Sequence, residues 1–276
     1  MSAQSSQQQS HYAGNGAVRI HYVVAGRGPT VVLLHGIPDF WNGWRYQIGP
    51  LSTGHRVAAV DLRGFNLSDK PAGVRSFSIR ELVGDVLAVL RHLDVNQVTI
   101  VGHDWGGIVG WWFAMFYPQH VHRLAILSAP HPLCYLAAVE RGEQRAHLGY
   151  VQDLTDVPFG EPLDVQRLSA WVSDESARSE LEAALARSDP EALRNVYRAN
   201  LGPSAQAPAQ VPLVTVPTLV MYGEADPHVT SLAYEHTGDY VSGELKVIAI
   251  PGAGHFLHHE AADRVSAELL RWLKQR

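Results

Sequence analysis

The sequence predicts an α/β fold: a mostly parallel central sheet flanked by helices, with a helical lid inserted between two of its strands. Three observations predict it. Short β-branched runs alternate with helical patterns along most of the chain. Those runs are apolar throughout rather than at every second residue, as strands covered on both faces require. The alternation then breaks after Pro130, where helical patterns follow one another without a convincing strand until about Pro212.

The elements follow in order. Residues 1–14 open Ser/Gln-rich, without the basic start and apolar stretch of a signal peptide, and are expected to be a disordered tail. The first part of the core, 15–129, holds the expected strands Val18–Val24, Thr30–Leu34, Arg56–Val60, Gln97–Val101 and Arg123–Leu127. Within it Ile79, Leu82, Val83, Val86, Leu87, Leu90 and Leu93 recur at helical spacing. Ser78 and Glu81 stand where a capping box would open that helix. The lid takes 130–212, with helical patterns at Leu181–Ala186 and Glu191–Arg198, and a Pro-rich return runs from Gly202 to Pro217. The second part of the core, 213–276, adds strands at Pro217–Tyr222 and Leu245–Ile250. The longest apolar run, Ile108–Tyr117, reaches only about 15 Å as a helix, half of a bilayer core, so it is expected to be a buried helix.

Composition narrows the function. With 276 residues, 46% of them hydrophobic, the chain can bury a large core, which excludes disorder. Lys and Arg number 22 against 27 Asp and Glu, and no basic block breaks that balance, so neither nucleic acid nor a membrane is an expected partner. The single cysteine, Cys134, excludes an internal disulfide and a Cys-based zinc site, and a reducing cytoplasm is the default compartment. Nothing in the composition argues against a homodimer.

The chemistry is concentrated in Val98-Thr-Ile-Val-Gly102-His103-Asp104-Trp105-Gly106-Gly107-Ile108. A strand runs into a helix through a turn flanked by glycines, which thrusts the central side chain, Asp104, out at the C-terminal edge of the sheet. His35-Gly36-Ile37-Pro38 follows one strand and could aim a backbone N–H at a developing oxyanion. Gly223-Glu-Ala-Asp226-Pro227 and Gly252-Ala-Gly254-His255-Phe256 follow two later strands. The order Asp104, Asp226, His255 is that of a nucleophile, acid and histidine triad. Glu224 is the less well placed alternative acid, and the stretch after the fifth strand, Leu127-Ser-Ala-Pro130, offers no carboxylate. Fifteen histidines make a metal site worth weighing. His255, His258 and His259 have no zinc-binding spacing, however, and His258 and His259 are read as capping or surface residues of the final helix. Neither a metal nor a nucleotide cofactor is expected.

Taken together these motifs resemble the epoxide hydrolases of the α/β-hydrolase fold. The resemblance runs from about Val18 onward. It rests on His35–Gln47, Asp61–Pro71, the Gly102–Gly107 elbow, Ala129-Pro-His-Pro132, Asn195-Val-Tyr-Arg-Ala-Asn200 and Gly254–His258. It implies the α/β-hydrolase fold, no cofactor and a small apolar epoxide as substrate. A carboxylate is already ionised at neutral pH and attacks an sp³ carbon to give an alkyl ester. Water activated by His255 and Asp226 would hydrolyse that ester, with the N–H groups of Ile37 and Trp105 as oxyanion hole. The resemblance further implies two lid tyrosines that protonate the leaving alkoxide, matched here by Tyr197 and Tyr150. His35, Phe40, Trp41 and Phe256 are expected at an apolar pocket. One alternative is a haloalkane dehalogenase with the same nucleophile, for which Trp105 and lid Trp171 would be the N–H donors. The other is a catalytically silent protein that binds a small apolar ligand.

Overall fold

The computed structural model describes residues 8–201 and 210–274. Eight strands form one sheet in the order β1-β2-β4-β3-β5-β6-β7-β8. They are β1 (Gln9–Asn15), β2 (Val18–Ala25), β3 (Thr30–Leu34), β4 (Arg56–Val60), β5 (Val98–His103), β6 (Val121–Leu127), β7 (Thr218–Gly223) and β8 (Leu245–Ile250). The pairs β1/β2 and β2/β4 are antiparallel, and every other pair is parallel.

Residues alternate between two cores along the central strands. Val32 and Leu34 of β3 and Ile100 of β5 join the core built with helices α2 (Ile79–Leu93) and α3 (Trp105–Phe116). Val31, Leu33 and Val101 join the core on the other face, closed by α1 (Arg45–Ser52) and α10 (Ala262–Lys274). That double burial is why the strands read as continuous apolar runs. The run Ile108–Tyr117 lies mostly within α3, and no helix among the described residues is long and apolar enough to cross a membrane.

The lid contributes α4 (Pro132–Glu140), α5 (Gly149–Thr155), α6 (Val165–Ser169), α7 (Glu175–Arg187) and α8 (Pro190–Leu201). Residues 202–209 of the expected return segment lie outside the described residues.

Two expectations are corrected here. Residues 9–14 belong to a strand rather than to a tail, and 1–7 lie outside the described residues. Strand β1 is a polar edge strand, QSHYAGN, held in register by a tight hairpin in which Gly16 takes a φ of 60°. Ser78 does precede α2, but its side chain accepts no capping hydrogen bond. The Ile79 N–H donates instead to Asn200 Oδ1 of lid helix α8, at 2.8 Å.

Candidate active site

Asp104 sits between β5 and α3 with φ 49° and ψ −121°, a conformation that costs a side-chain-bearing residue about 1–3 kcal/mol. The glycines around it are there for close approach. A Cβ on Gly36 would lie 2.5 Å from the Asp104 Cβ, and one on Gly106 would overlap the Leu34 carbonyl. With those spaces open, the Ile37 N–H donates to Asp104 Oδ1 at 2.8 Å. The Trp105 amide lies at the first turn of α3, where helical N–H groups have no partner within the helix.

His255 lies on the opposite side of the same carboxylate, its Nε2 3.5 Å from Asp104 Oδ2. Its Nδ1 is 2.8 Å from Asp226 Oδ2. Asp226 Oδ1 accepts the N–H groups of His228 and Val229, at 2.7 and 3.0 Å, while Glu224 is exposed. The His255 carbonyl accepts from Ser128 Oγ at 2.7 Å and lies 2.9 Å from His103 Nε2. The position after β6 that lacks a carboxylate thus holds the histidine through a hydroxyl.

The electrostatics follow from this packing. Burial pushes the Asp104 carboxyl up, but the His255 imidazole and the Ile37 N–H outweigh it and hold the group below the usual carboxylate range. Burial likewise disfavours a charged His255, yet the carboxylates of Asp104 and Asp226 on its two nitrogens raise it to about 10. The hydroxyls of Tyr150 and Tyr197 are pushed well above the ordinary phenol range, first by burial and then by neighbouring phenols and the Asp104 charge.

Two cavities meet at Asp104, Tyr150 and Tyr197, all three of which line both. One, about 330 Å³, is apolar, walled by Ile79, Trp105, Ile108, Trp112 and Leu136. The other, about 450 Å³, is lined by His228, His255, Trp171 and Phe256 and by charged lid residues that include Glu161, Arg167 and Arg194. Tyr197 comes from α8 and meets the Trp105 ring edge-on at 5.1 Å; Tyr150 comes from α5, its ring 6.2 Å from that of Tyr197.

Phe256 lines the second cavity, stacked on Trp171 at 3.7 Å, but His35, Phe40 and Trp41 line neither. The His35 ring is spent on backbone, with Nε2 accepting from the Leu62 N–H at 3.0 Å and Nδ1 2.7 Å from the Gly36 carbonyl. Phe40 and Trp41 pack under lid residues Val172, Leu181 and Leu185, forming the apolar seam between lid and core. His258 is fully buried, in contrast to its expected surface position. Two residues that sequence reasoning passed over do face the site. Tyr135 lines the apolar cavity, and burial together with the Asp104 charge pushes its hydroxyl up to about 12. His228 lies edge-on to His255 at 5.1 Å and to Tyr150 at 4.8 Å.

Comparison with known proteins agrees with this architecture. The α/β hydrolase fold family matches residues 29–262. Epoxide hydrolase 4 of Mus musculus is 30% identical over 94% of this chain and 77% of its own length. The AB hydrolase superfamily protein YfhM of Bacillus subtilis is 31% identical over 95% of this chain and 97% of its own. Among solved structures, the Bacillus megaterium epoxide hydrolase in complex with an inhibitor superposes with a TM-score of 0.88 at 27% identity, covering 97% of this chain and 100% of that one. By fold, site geometry and relatives alike, the chain belongs to the α/β-hydrolase fold family, among its epoxide hydrolases.

Proposed function

We propose that this chain adds water to an epoxide, giving a vicinal diol, through an alkyl ester on Asp104. The observation that carries the reading is a carboxylate held ionised, facing two phenols held protonated where two cavities join. An Asp104 oxygen forms a bond to a ring carbon, the ring C–O bond breaks, and the alkoxide takes a proton from Tyr197 or Tyr150. Water deprotonated by His255 then attacks the ester carbonyl, whose oxyanion is met by the N–H groups of Ile37 and Trp105. Collapse expels the diol and leaves Asp104 with one oxygen from water.

The histidine's proton fits this sequence. In the free enzyme two carboxylates hold His255 up to about 10, so it starts protonated. Esterification neutralises one of them, and burial then favours the neutral imidazole that the second step needs. The proton His255 gives up balances the one the alkoxide gains.

A halide, by contrast, would want two N–H donors. Position 37, where a side-chain amide could supply one beside Trp105, is isoleucine, whereas two phenols line both cavities with Asp104. The epoxide reading therefore ranks above the dehalogenase one.

Mass spectrometry of the His255→Gln variant incubated with styrene oxide tests the scheme. The expected result is a mass gain of one epoxide on the peptide carrying Asp104, absent in Asp104→Ala. An alkyl adduct with halide release from 1-bromobutane, and none from the epoxide, would turn the assignment to dehalogenation. Silence with both would favour the binding protein.

A further inference from the structure

Behind the reacting groups, the loop after β3 meets the short helix after His255 (Leu257–Glu260) at a cluster that the mechanism does not use. Asp39 and His258 are buried there, and His259 lies half-buried at its outer side. One ligating atom from each of the three lies within 4.8 Å of the others. His258 Nε2 stands 3.4 Å from Asp39 Oδ2. That is long for an N–H···O hydrogen bond, but close to the roughly 3.3 Å edge of a tetrahedron of nitrogen and oxygen ligands about 2.0 Å from zinc.

Two further features ask for a ligand. Asp39 has no lysine or arginine within ion-pair distance among the described residues, and the one hydrogen bond it takes from the backbone comes from the adjacent Phe40 N–H, at 2.8 Å. His259 Nε2 is buried without a hydrogen-bond partner, which native interiors rarely tolerate.

We propose that Asp39, His258 and His259 bind a divalent transition-metal ion of the zinc class, through two imidazole nitrogens and one carboxylate oxygen. A small swing of the His259 ring closes the set, and water completes the tetrahedron from the outer side. There the His259 ring meets the exposed Tyr46 edge-on at 5.3 Å. Two imidazoles select zinc, nickel or cobalt over magnesium and calcium, which prefer all-oxygen shells. The ion's role is structural: it ties the loop carrying the Ile37 N–H to the segment that follows His255.

The test uses untagged, chelator-treated protein titrated with Zn2+ by calorimetry and with Co2+ by visible absorption. One ion per chain is expected, with micromolar or tighter affinity, an intense four-coordinate cobalt band and a raised Tm. His259→Ala, at the outer edge, and the isosteric Asp39→Asn should each weaken binding at least about tenfold and remove the Tm rise. Absence of saturable binding would overturn the site. So would binding that both variants retain, which would place the ion elsewhere among the fifteen histidines, or an equal Tm rise with Mg2+.

Discussion

Tyr197 and Tyr150 are not equivalent at the level of single side chains. Tyr197 lies against the Trp105 ring and is fully buried, whereas Tyr150 is packed between Tyr197 and His228. Tyr197→Phe should slow ring opening by about 100-fold and Tyr150→Phe by less, with ester hydrolysis near normal in both. Stopped-flow tryptophan fluorescence, with Trp105 next to the Asp104 carboxylate, separates the two steps. Equal slowing of both steps would mean that the phenols position the lid rather than donate a proton. The positions of Asp104, Asp226 and His255 were legible because each follows a strand within a short glycine-marked motif, and such motifs are local. Tyr135 and His228 carry no such mark. They reach the site through the way the lid and the acid loop pack, which no spacing encodes. Phe40 and Trp41 fail in the opposite sense: they neighbour the loop carrying Ile37 in sequence, yet they pack against Val172, Leu181 and Leu185 of the lid.

Between elements, the link that matters most joins the lid to the loop carrying Asp226. Gln144 is fully buried; its Nε2 donates to the His228 carbonyl at 2.6 Å, and its Oε1 accepts from the Thr230 N–H at 3.0 Å. His147 Nδ1 lies 2.8 Å from the Pro227 carbonyl, so the segment just before Tyr150 is fastened at two places. Gln144→Ala should lower the ring-opening rate several-fold and raise KM while sparing ester hydrolysis, because it loosens Tyr150 but leaves Asp226 with its own N–H donors. Pre-steady-state kinetics would show the split, and a matching loss in hydrolysis would mean that the latch serves the acid loop instead. Strands Thr30–Leu34 and Arg56–Val60 coincide with their sequence-based expectation, since continuous apolar runs have one outlet, the middle of a two-sided sheet; Leu245–Ile250 coincides too, although it is a half-exposed edge strand. Strand β1 was not legible. An edge strand with one neighbour buries little, and its polar residues satisfy the backbone ladder without an apolar pattern.

For the whole molecule, buried histidines set opposite limits on stability with pH. His255 binds a proton more tightly folded, up to about 10, than in the unfolded chain near 6.5, so its contribution is complete below 6.5 and is lost as pH rises toward 10. His131 is pushed by burial down to about 4, so the unfolded chain takes up protons first and stability falls as pH drops from 6.5 toward 4. Tm measured across this range should peak between the two windows. His255→Gln should flatten the alkaline limb and His131→Asn the acid one; unchanged limbs would assign the dependence to other groups. The bond from Ile79 to Asn200 has a reach beyond its own geometry. The insertion supplies the donor-satisfying group at the start of a core helix, an interaction of about 0.5–2 kcal/mol, so the two parts of the chain are not interchangeable modules. An exchange of the 130–212 segment between relatives, meant to transplant a substrate pocket, also transplants or deletes part of the recipient scaffold's helix chemistry. Grafts that keep an asparagine at position 200 inherit a fold; those that lose it begin with a core helix whose first turn is open.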